Sequence, residues 1–437
     1  MEPAATSYGF SNLEAIPLDP HYALKEAFAD DPSAKKVILG SGIYRDGNSE
    51  PWVLPSIEER KAEKEVDEHK SSARYEYLPI SGYAPFVTVA RDLLFGRYGA
   101  KADHFVSLQT ISGTGANSLG AQFLSKSLRP SAVWLSNPSW VNHSNIWGLV
   151  GVKVKYYPYW DAQKKTLDFD SMVKKLETET VSGDVILLHA CAHNPTGVDP
   201  TKEQWAKIAD ICESRGLFPF FDSAYQGFAS GDLDEDAWAL RHFVSRGTLE
   251  LVAAQSFSKN MGLYGERVGA LHLLTSSPEA AAKAKGHLCQ LQRGQISQPP
   301  RRGAHLATAI LTNQVLFQKW LIDLHEMSSR IKSMRQALYE ELVSLGTPGK
   351  WEHIISQIGM FSYTGLSSVQ VETIQSESHV YILKSGRISV PGCEFSFEGG
   401  MFEGGMTYDS DIENSVNAAN VKHVAKGIDT AVRRHPV

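Results

Sequence analysis

Short apolar runs and amphipathic stretches alternate along most of this chain. The runs at 106–111, 132–135, 153–157, 184–189, 217–221, 249–254 and 268–274 have strand length and lie between charged or turn-forming residues. Helical spacing marks 117–127 and 203–214 between them. This alternation predicts an α/β domain with a mainly parallel sheet. Such sheets bind ligands beyond the carboxyl ends of their strands, so the residues just past each run are the candidates for chemistry.

The flanks read differently. Asp19-Pro20 marks a helix start ahead of Ala23, Leu24, Ala27 and Phe28. Residues 36–40 predict a short strand that leads into Ser41-Gly42-Ile43-Tyr44-Arg45, where glycine permits a tight backbone near a ligand. Residues 56–70 are charged with a helical pattern, and 75–79 end in a forced extension before proline. Leu316, Trp320, Leu324, Met327, Ile331, Met334, Leu338, Leu342 and Leu345 recur at intervals of three and four. That stripe predicts a long helix or helix pair packed across two domains rather than a coiled coil. Residues 350–392 look like the short strands of a smaller α/β unit. In 393–416, Phe397-Glu398-Gly399-Gly400-Met401 recurs as Phe402-Glu403-Gly404-Gly405-Met406, which reads as an inserted glycine-rich acidic loop. The expected organisation is a large domain over 52–327 and a small domain that combines 1–51 with 328–437.

Composition narrows the function classes. A chain of 437 residues, 42% hydrophobic and 21% charged, is that of a soluble globular protein of two or three domains. Its 43 Lys and Arg against 49 Asp and Glu give a net charge of -6, which does not favour nucleic acid. Four widely spaced cysteines, Cys191, Cys212, Cys289 and Cys393, are too few to staple it and predict reduced thiols. No basic leader, membrane-length apolar run or peroxisomal terminus is evident, so a cytoplasmic location is expected.

Candidate chemistry gathers at the run ends. Ser256-Phe257-Ser258-Lys259-Asn260 follows a buried strand, with Arg267 eight positions after the lysine. A primary amine near a second cation in a dry pocket has a lowered pKa and can form a Schiff base, and the serines and Arg267 suit a phosphate. Asp222 closes a strand where a carboxylate can pair with a pyridinium nitrogen, and Tyr225 and Asn194 can reach the ring's phenolic oxygen. Ser112-Gly113-Thr114-Gly115 lies between a strand and a helix, where free N–H groups bind phosphate, and Trp140 can stack on a ring. Taken singly, a strand-end Asp is as readily a helix cap, Asn-Pro-x-Gly a turn, and Trp140 core. The dinucleotide fingerprint is not met because the third glycine is Gly120. His189, Cys191 and His193 alternate as strand neighbours on one face but lack a fourth metal ligand.

These stretches carry a family resemblance. The run from Ser256 to Gly269, His189-Ala190-Cys191-Ala192-His193-Asn194-Pro195-Thr196-Gly197, Phe220 to Phe228 and Ser385-Gly386-Arg387 together resemble the aspartate aminotransferases of class I, fold type I. The likeness runs from about residue 14 to 392 and resumes near 417. It implies a fold-type I large domain with a mainly parallel seven-stranded sheet, a homodimer, and pyridoxal 5'-phosphate as cofactor. It further implies that Lys259 is the Schiff-base lysine and proton shuttle. Ser112, Gly113, Thr114, Ser256, Ser258 and Arg267 would hold the phosphate, with Tyr77 reaching across from the other subunit. Asp222, backed by His143, would hold the pyridine nitrogen, while Tyr225 and Asn194 tune the ring oxygen. Arg387 would clamp the substrate α-carboxylate with help from Gly42, Trp140 and Asn194, and Arg293 would take the distal carboxylate in the other subunit's site. Two arginines imply a dicarboxylic substrate, because a planar guanidinium fits a carboxylate bidentately.

The implied reaction is ping-pong transamination of aspartate or a related acidic amino acid with 2-oxoglutarate. Four positions depart from the family's pattern: His21-Tyr22 stand where it has apolar side chains, Ser41 where it has a small apolar residue, and Gln298 where it has Asn. The inserted 393–416 falls just after Arg387. Two alternatives stay open, a diverged enzyme of this fold performing decarboxylation, β-elimination or cyclisation, and a non-catalytic binding protein.

Overall fold

The computed structural model describes residues 10–45, 51–58, 75–96, 99–391 and 420–436. The helical expectation over 59–70 and the acidic loop at 393–416 fall outside the described residues. A two-residue strand, β1 (Val37–Ile38), precedes the main sheet. That sheet is built from β2 (Phe105–Ile111), β3 (Val133–Asn137), β4 (Val154–Pro158), β7 (Val185–His189), β8 (Phe218–Ser223), β9 (Leu251–Ser256) and β10 (Val268–Leu274). A small hairpin, β5 (Trp160–Asp161) with β6 (Thr166–Leu167), interrupts the series.

The seven strands lie in the order β2-β10-β9-β8-β7-β3-β4. All neighbours pair parallel except those of β10, which runs antiparallel to both β2 and β9. Strand alternation explains why the sheet is covered twice. Leu187, Phe220, Val252 and Ala254 point into one core with Leu119 and Phe123 of the helix Ser112–Ser127. Their neighbours Ile186, Leu188, Phe221, Leu251 and Ala253 point the other way, against Trp205 and Ile208 of the helix Lys202–Arg215. Both faces being apolar, β7 and β9 are buried along their whole length, as parallel strands between helical layers must be. The Lys202–Arg215 helix is closed at both ends by its own sequence: Thr201 and Gln204 form a capping box, and Gly216 takes the left-handed conformation after it.

The heptad-like stripe forms one helix, Gln314–Ser344, of 31 residues. Leu316, Trp320, Leu324, Met327 and Ile331 bury in a core shared with Tyr225 and Phe257. Leu338 and Leu342 bury instead with Val37, Leu39, Ile374, Val424 and Ile428 in a second core. Val380 of β12 (Val380–Tyr381) and Ile388 of β13 (Arg387–Ser389) belong to that second core, whereas Phe361 of β11 (Phe361–Tyr363) packs in the first. β1 pairs parallel with β12, and β11 pairs antiparallel with β13 so that Tyr363 lies opposite Arg387.

One helix starts earlier than its spacing predicts. The helix expected over 117–127 begins at Ser112, directly off β2. Low-propensity glycines occupy its first turn because the approach is tight: a Cβ on Gly113 would sit 2.9 Å from Ser256 Cβ. Packing overrides propensity there.

Candidate active site

The reversed strand decides what the sheet edge presents. Because β10 is antiparallel, its first residues stand beside the carboxyl ends of β2 and β9, with Val268 opposite Ile111 and Gly269 opposite Ser256. Arg267 and Ser112 both adopt positive φ, 55° and 59°, and the Ser112 N–H donates to the Arg267 carbonyl at 3.0 Å. Only glycine fits at 269, where a Cβ would come within 2.5 Å of the Ser112 carbonyl carbon. Lys259 lies three residues past β9, and Asp222 near the end of β8, opposite His189 of β7.

These elements enclose a cavity of about 270 Å³. Of the residues expected from sequence, Gly42, Ser112, Gly113, Thr114, Trp140, Asn194, Asp222, Tyr225, Ser256, Ser258, Lys259, Arg267 and Arg387 line it. His143 stands behind the wall, its Nε2 3.0 Å from Asp222 Oδ2. Tyr77 is exposed, and Arg293 is an exposed residue of the helix Pro278–Gln295 that donates to the Ser297 hydroxyl. Neither reaches this chain's own cavity.

Electrostatics follow from burial and neighbours. Burial alone pushes the Asp222 carboxyl up, but the hydrogen bond and charge of His143, with His189 and Asn117 adding, hold it below the usual carboxylate value. Lys259 is brought down to about 8, chiefly by burial and further by the Arg267 and Arg387 charges, against the opposing pull of Asp222. Its Nζ lies 5.7 Å over the Tyr225 ring and makes no hydrogen bond among the described residues. Burial raises the Tyr225 phenol and lowers Arg387 to about 10. Arg387 donates to Asn194 Oδ1 at 3.2 Å and Gly40 O at 3.0 Å, stacks on Phe361 at 4.0 Å, and its buried Nε has no partner among the described residues.

The donor set suits a phosphorylated ring bearing an aldehyde. Hydroxyls of Ser112, Thr114, Ser256 and Ser258 and the Arg267 guanidinium converge at the N-terminus of a 16-residue helix, an anion site by dipole and by free N–H groups. The Ser112 and Ser258 hydroxyls lie 2.9 Å apart, and the Gly113 cradle would be filled by any side chain. The Asp222 carboxylate and the Lys259 amine complete the match. Such a set on a mainly parallel α/β sheet defines a fold-type I pyridoxal-phosphate enzyme.

The structure corrects one reading and adds residues. β7 ends at His189 and Ala192 takes positive φ (49°), so Cys191 and His193 are not strand neighbours on one face. His193 stacks on Tyr159 at 3.8 Å and bonds Ser136 and Thr196, while His189 lines the cavity, lowered to about 3 by burial and the nearby His143 charge. Among the described residues no group of three such side chains could hold a metal. Cavity residues to which sequence reasoning assigned no role are Ile43, Asn117, Ala224, Tyr264 and Phe361, and His189 was considered only as a metal ligand. Tyr264 was within reach, since it falls inside the Lys259 run, where its hydroxyl accepts the Tyr44 N–H at 2.8 Å. Of the four departures His21 lines the cavity, and Tyr22, Ser41 and Gln298 do not. Cys191, Cys212 and Cys289 are free thiols.

The chain belongs to the aminotransferase class I and II family, whose model matches residues 34–395, and is a pyridoxal-phosphate-dependent aminotransferase. An L-tyrosine:2-oxoglutarate aminotransferase of Aspergillus ustus is 44% identical over 427 residues, covering 95% of this chain and 77% of that one. The cytoplasmic aspartate aminotransferase of Schizosaccharomyces pombe is 42% identical over 436 residues, covering 99% and 100%. An aromatic-amino-acid aminotransferase of Burkholderia pseudomallei, solved covalently bound to pyridoxal phosphate, superposes with a TM-score of 0.87 at 34% identity, covering 98% and 100%. All three relatives are aminotransferases, which disfavours decarboxylation, β-elimination and cyclisation. Among the described residues no helix is long and apolar enough to cross a membrane.

Proposed function

We propose that this enzyme transfers the amino group of aspartate or a related acidic amino acid to 2-oxoglutarate, working in the cytoplasm as a homodimer whose sites draw on both subunits. The observation that carries the amino-acid reading is Arg387, buried in the wall of the cavity that Lys259 enters, with no acid pairing with it among the described residues. A buried unpaired guanidinium is costly unless a ligand carboxylate meets it. The acidic side chain is supported by the resemblance around Arg293 and by the aspartate aminotransferase relative. A second reading, an aromatic amino acid, is favoured by the aromatic walls Trp140, Tyr225 and Phe361 and by the tyrosine and aromatic aminotransferase relatives.

Bound pyridoxal phosphate supplies an aldehyde that takes up the amino group and a ring that withdraws electrons from the substrate's α carbon. Ser112, Gly113, Thr114, Ser256, Ser258 and Arg267, with Tyr77 of the partner subunit, would hold the phosphate. Asp222, kept ionised by His143, would pair with a protonated ring nitrogen, and Tyr225 and Asn194 would donate to the ring oxygen. Trp140 and Gly42 bound the substrate side of the cavity, and Arg387 orients the α-carboxylate. Lys259 Nζ, partly neutral near pH 8, takes the proton from the α carbon and releases it one step later, general acid–base work of about 10²- to 10⁴-fold.

A panel of aspartate, glutamate, tyrosine and phenylalanine with 2-oxoglutarate tests this directly. Aspartate or glutamate should react, and Arg293→Ala should lower kcat/KM for them by at least about 1.5 kcal/mol, with a much smaller loss for phenylalanine. No reaction with any dicarboxylate, or equal losses on both substrate types, defeats the acidic reading. Mixing inactive Lys259→Ala chains with weakened Arg293→Ala chains should restore part of the activity toward acidic substrates if the sites are shared.

A further inference from the structure

His21 has no part in that scheme, yet it lines the cavity beside Arg387. Its place is set by its helix. Asp19 caps Pro20–Asp30 and its carboxylate accepts the His21 N–H at 2.9 Å, so the residue belongs to an anchored first turn. Leu24 and Phe28 seat that helix against Ile38 and Tyr381. The approach is close enough that a Cβ on Gly40 would fall 2.4 Å from Leu24 Cδ2. This packing brings His21 Nε2 to 3.4 Å from Arg387 Nη2.

A guanidinium has five N–H donors and no acceptor, so His21 Nε2 must offer its lone pair, which puts the ring in its neutral form with the hydrogen on Nδ1. Burial first and the Arg387 charge second favour that neutral form, with Lys25 adding slightly, and Asp19 and the Gly40 carbonyl oppose them. Asn194 takes one hydrogen from Nη1, Gly40 takes one from Nη2, and His21 faces the remaining Nη2 hydrogen. Phe361 supports the guanidinium from its face. Without His21 this Nη2 hydrogen would have no acceptor among the described residues and the guanidinium would lose one of its three anchors.

We propose that His21 is a positioning residue for Arg387: by accepting from Nη2 it holds the guanidinium in the orientation that receives a substrate carboxylate. The inference rests on the reading of Arg387 as the carboxylate clamp, and the test separates the two. In the cofactor-loaded enzyme, steady-state kinetics are measured with the best amino acid of the panel, and the Kd of succinate, a carboxylate with no amine, from the cofactor's absorbance. His21→Leu should raise KM and the succinate Kd about 5- to 10-fold while kcat changes less than about twofold. His21→Gln, whose side-chain oxygen can accept in place of Nε2, should return both to within about twofold of the parent.

In an Arg387→Lys background His21→Leu should add nothing, because residues that act through one group are not additive. A fall in kcat at constant KM, failure of the glutamine to rescue, or a full His21→Leu effect on top of Arg387→Lys overturns the proposal. An unchanged succinate Kd in Arg387→Lys alone refutes the clamp reading instead. Should His21→Leu not fold, His21→Ala gives the same comparison without added bulk.

Discussion

Two buried arginines of this chain show opposite uses of the same group. Arg335, on the long helix Gln314–Ser344, is 2% exposed and donates to the carbonyls of Ile354, Gly359 and Phe361. Arg387, on β13, is 4% exposed but stands in a cavity wall beside Lys259 and Asp222. Burial lowers both, to about 9 and about 10, so charge state does not tell them apart. Their surroundings do: one guanidinium is tied to three backbone oxygens inside the core, and the other stands in the wall of a cavity that a ligand can fill. Two lysines repeat the contrast. Lys36 is buried and donates to the carbonyls of Phe28 and Asp31 at 2.9 and 2.6 Å, closing a helix end, whereas Lys259 Nζ makes no hydrogen bond among the described residues and faces the cavity.

The lysine pair offers the sharpest way to break this distinction. Lys259→Ala should remove at least the 10²- to 10⁴-fold due to general acid–base catalysis while the thermal midpoint moves little, because the amine anchors no other group. Borohydride reduction of the loaded protein should attach the cofactor at Lys259 alone. Lys36→Met should do the reverse, with turnover within about twofold and a stability loss of about 1–3 kcal/mol by urea denaturation. A loss of turnover in Lys36→Met comparable to that in Lys259→Ala would erase the contrast.

A smaller effect separates the arginines. Arg335→Met leaves three buried carbonyls unmet and should destabilise the fold by about 3 kcal/mol or more. Arg387→Met removes an unpaired buried charge, so stability should change by less than about 1 kcal/mol while kcat/KM drops by about 3 kcal/mol, near 10²-fold. Urea midpoints and kinetics on the two variants check this, and equal destabilisation would show that Arg387 is structural as well.

The smallest effect is a pH slope. The Lys259 amine titrates near 8 in the folded chain and near 10.4 when unfolded, so between those values the unfolded chain binds more protons. Unfolding free energy of the cofactor-free protein should therefore gain about 2 kcal/mol from this residue as pH rises from 8 to 10.5, with the penalty constant below that window. Lys259→Met should lack this gain. A parent and variant with the same pH slope would mean that the amine is not desolvated.

How far the sequence reaches can be seen in particular elements. The strand at Val268–Leu274 begins and ends where its apolar run does, because a strand buried on both faces is apolar along its length apart from His272, whose ring nitrogens are met by Ser107 and Gln255. The stripe from Leu316 to Leu342 is equally legible, its spacing being the helix period itself. Of the thirteen expected residues that line the one cavity, seven fall in the long ordered runs around Asn194, Asp222 and Lys259. Local patterns of this kind are written in the chain because each depends on neighbours a few positions away.

Other features have no local signature. The reversal of β10 sets Arg267 beside Ser112, and strand direction depends on how the crossovers close, which periodicity does not encode. The glycine in the first turn of the Ser112–Ser127 helix answers to Ser256, more than a hundred residues away, whose nearness leaves no room for a side chain at 113. His189 departs from the metal pattern its spacing suggested because the chain turns immediately after it. His21 and Arg387 are 366 positions apart, and the two-residue pairing of β1 with β12, together with the seat of the Pro20–Asp30 helix, brings their nitrogens into contact. The sequence by itself determined the elements, the chemical groups and the edge they stand on. Which donors remain free was decided by tertiary packing, because whether a buried cation's hydrogens meet a carbonyl or a cavity depends on residues that only the folded chain makes neighbours.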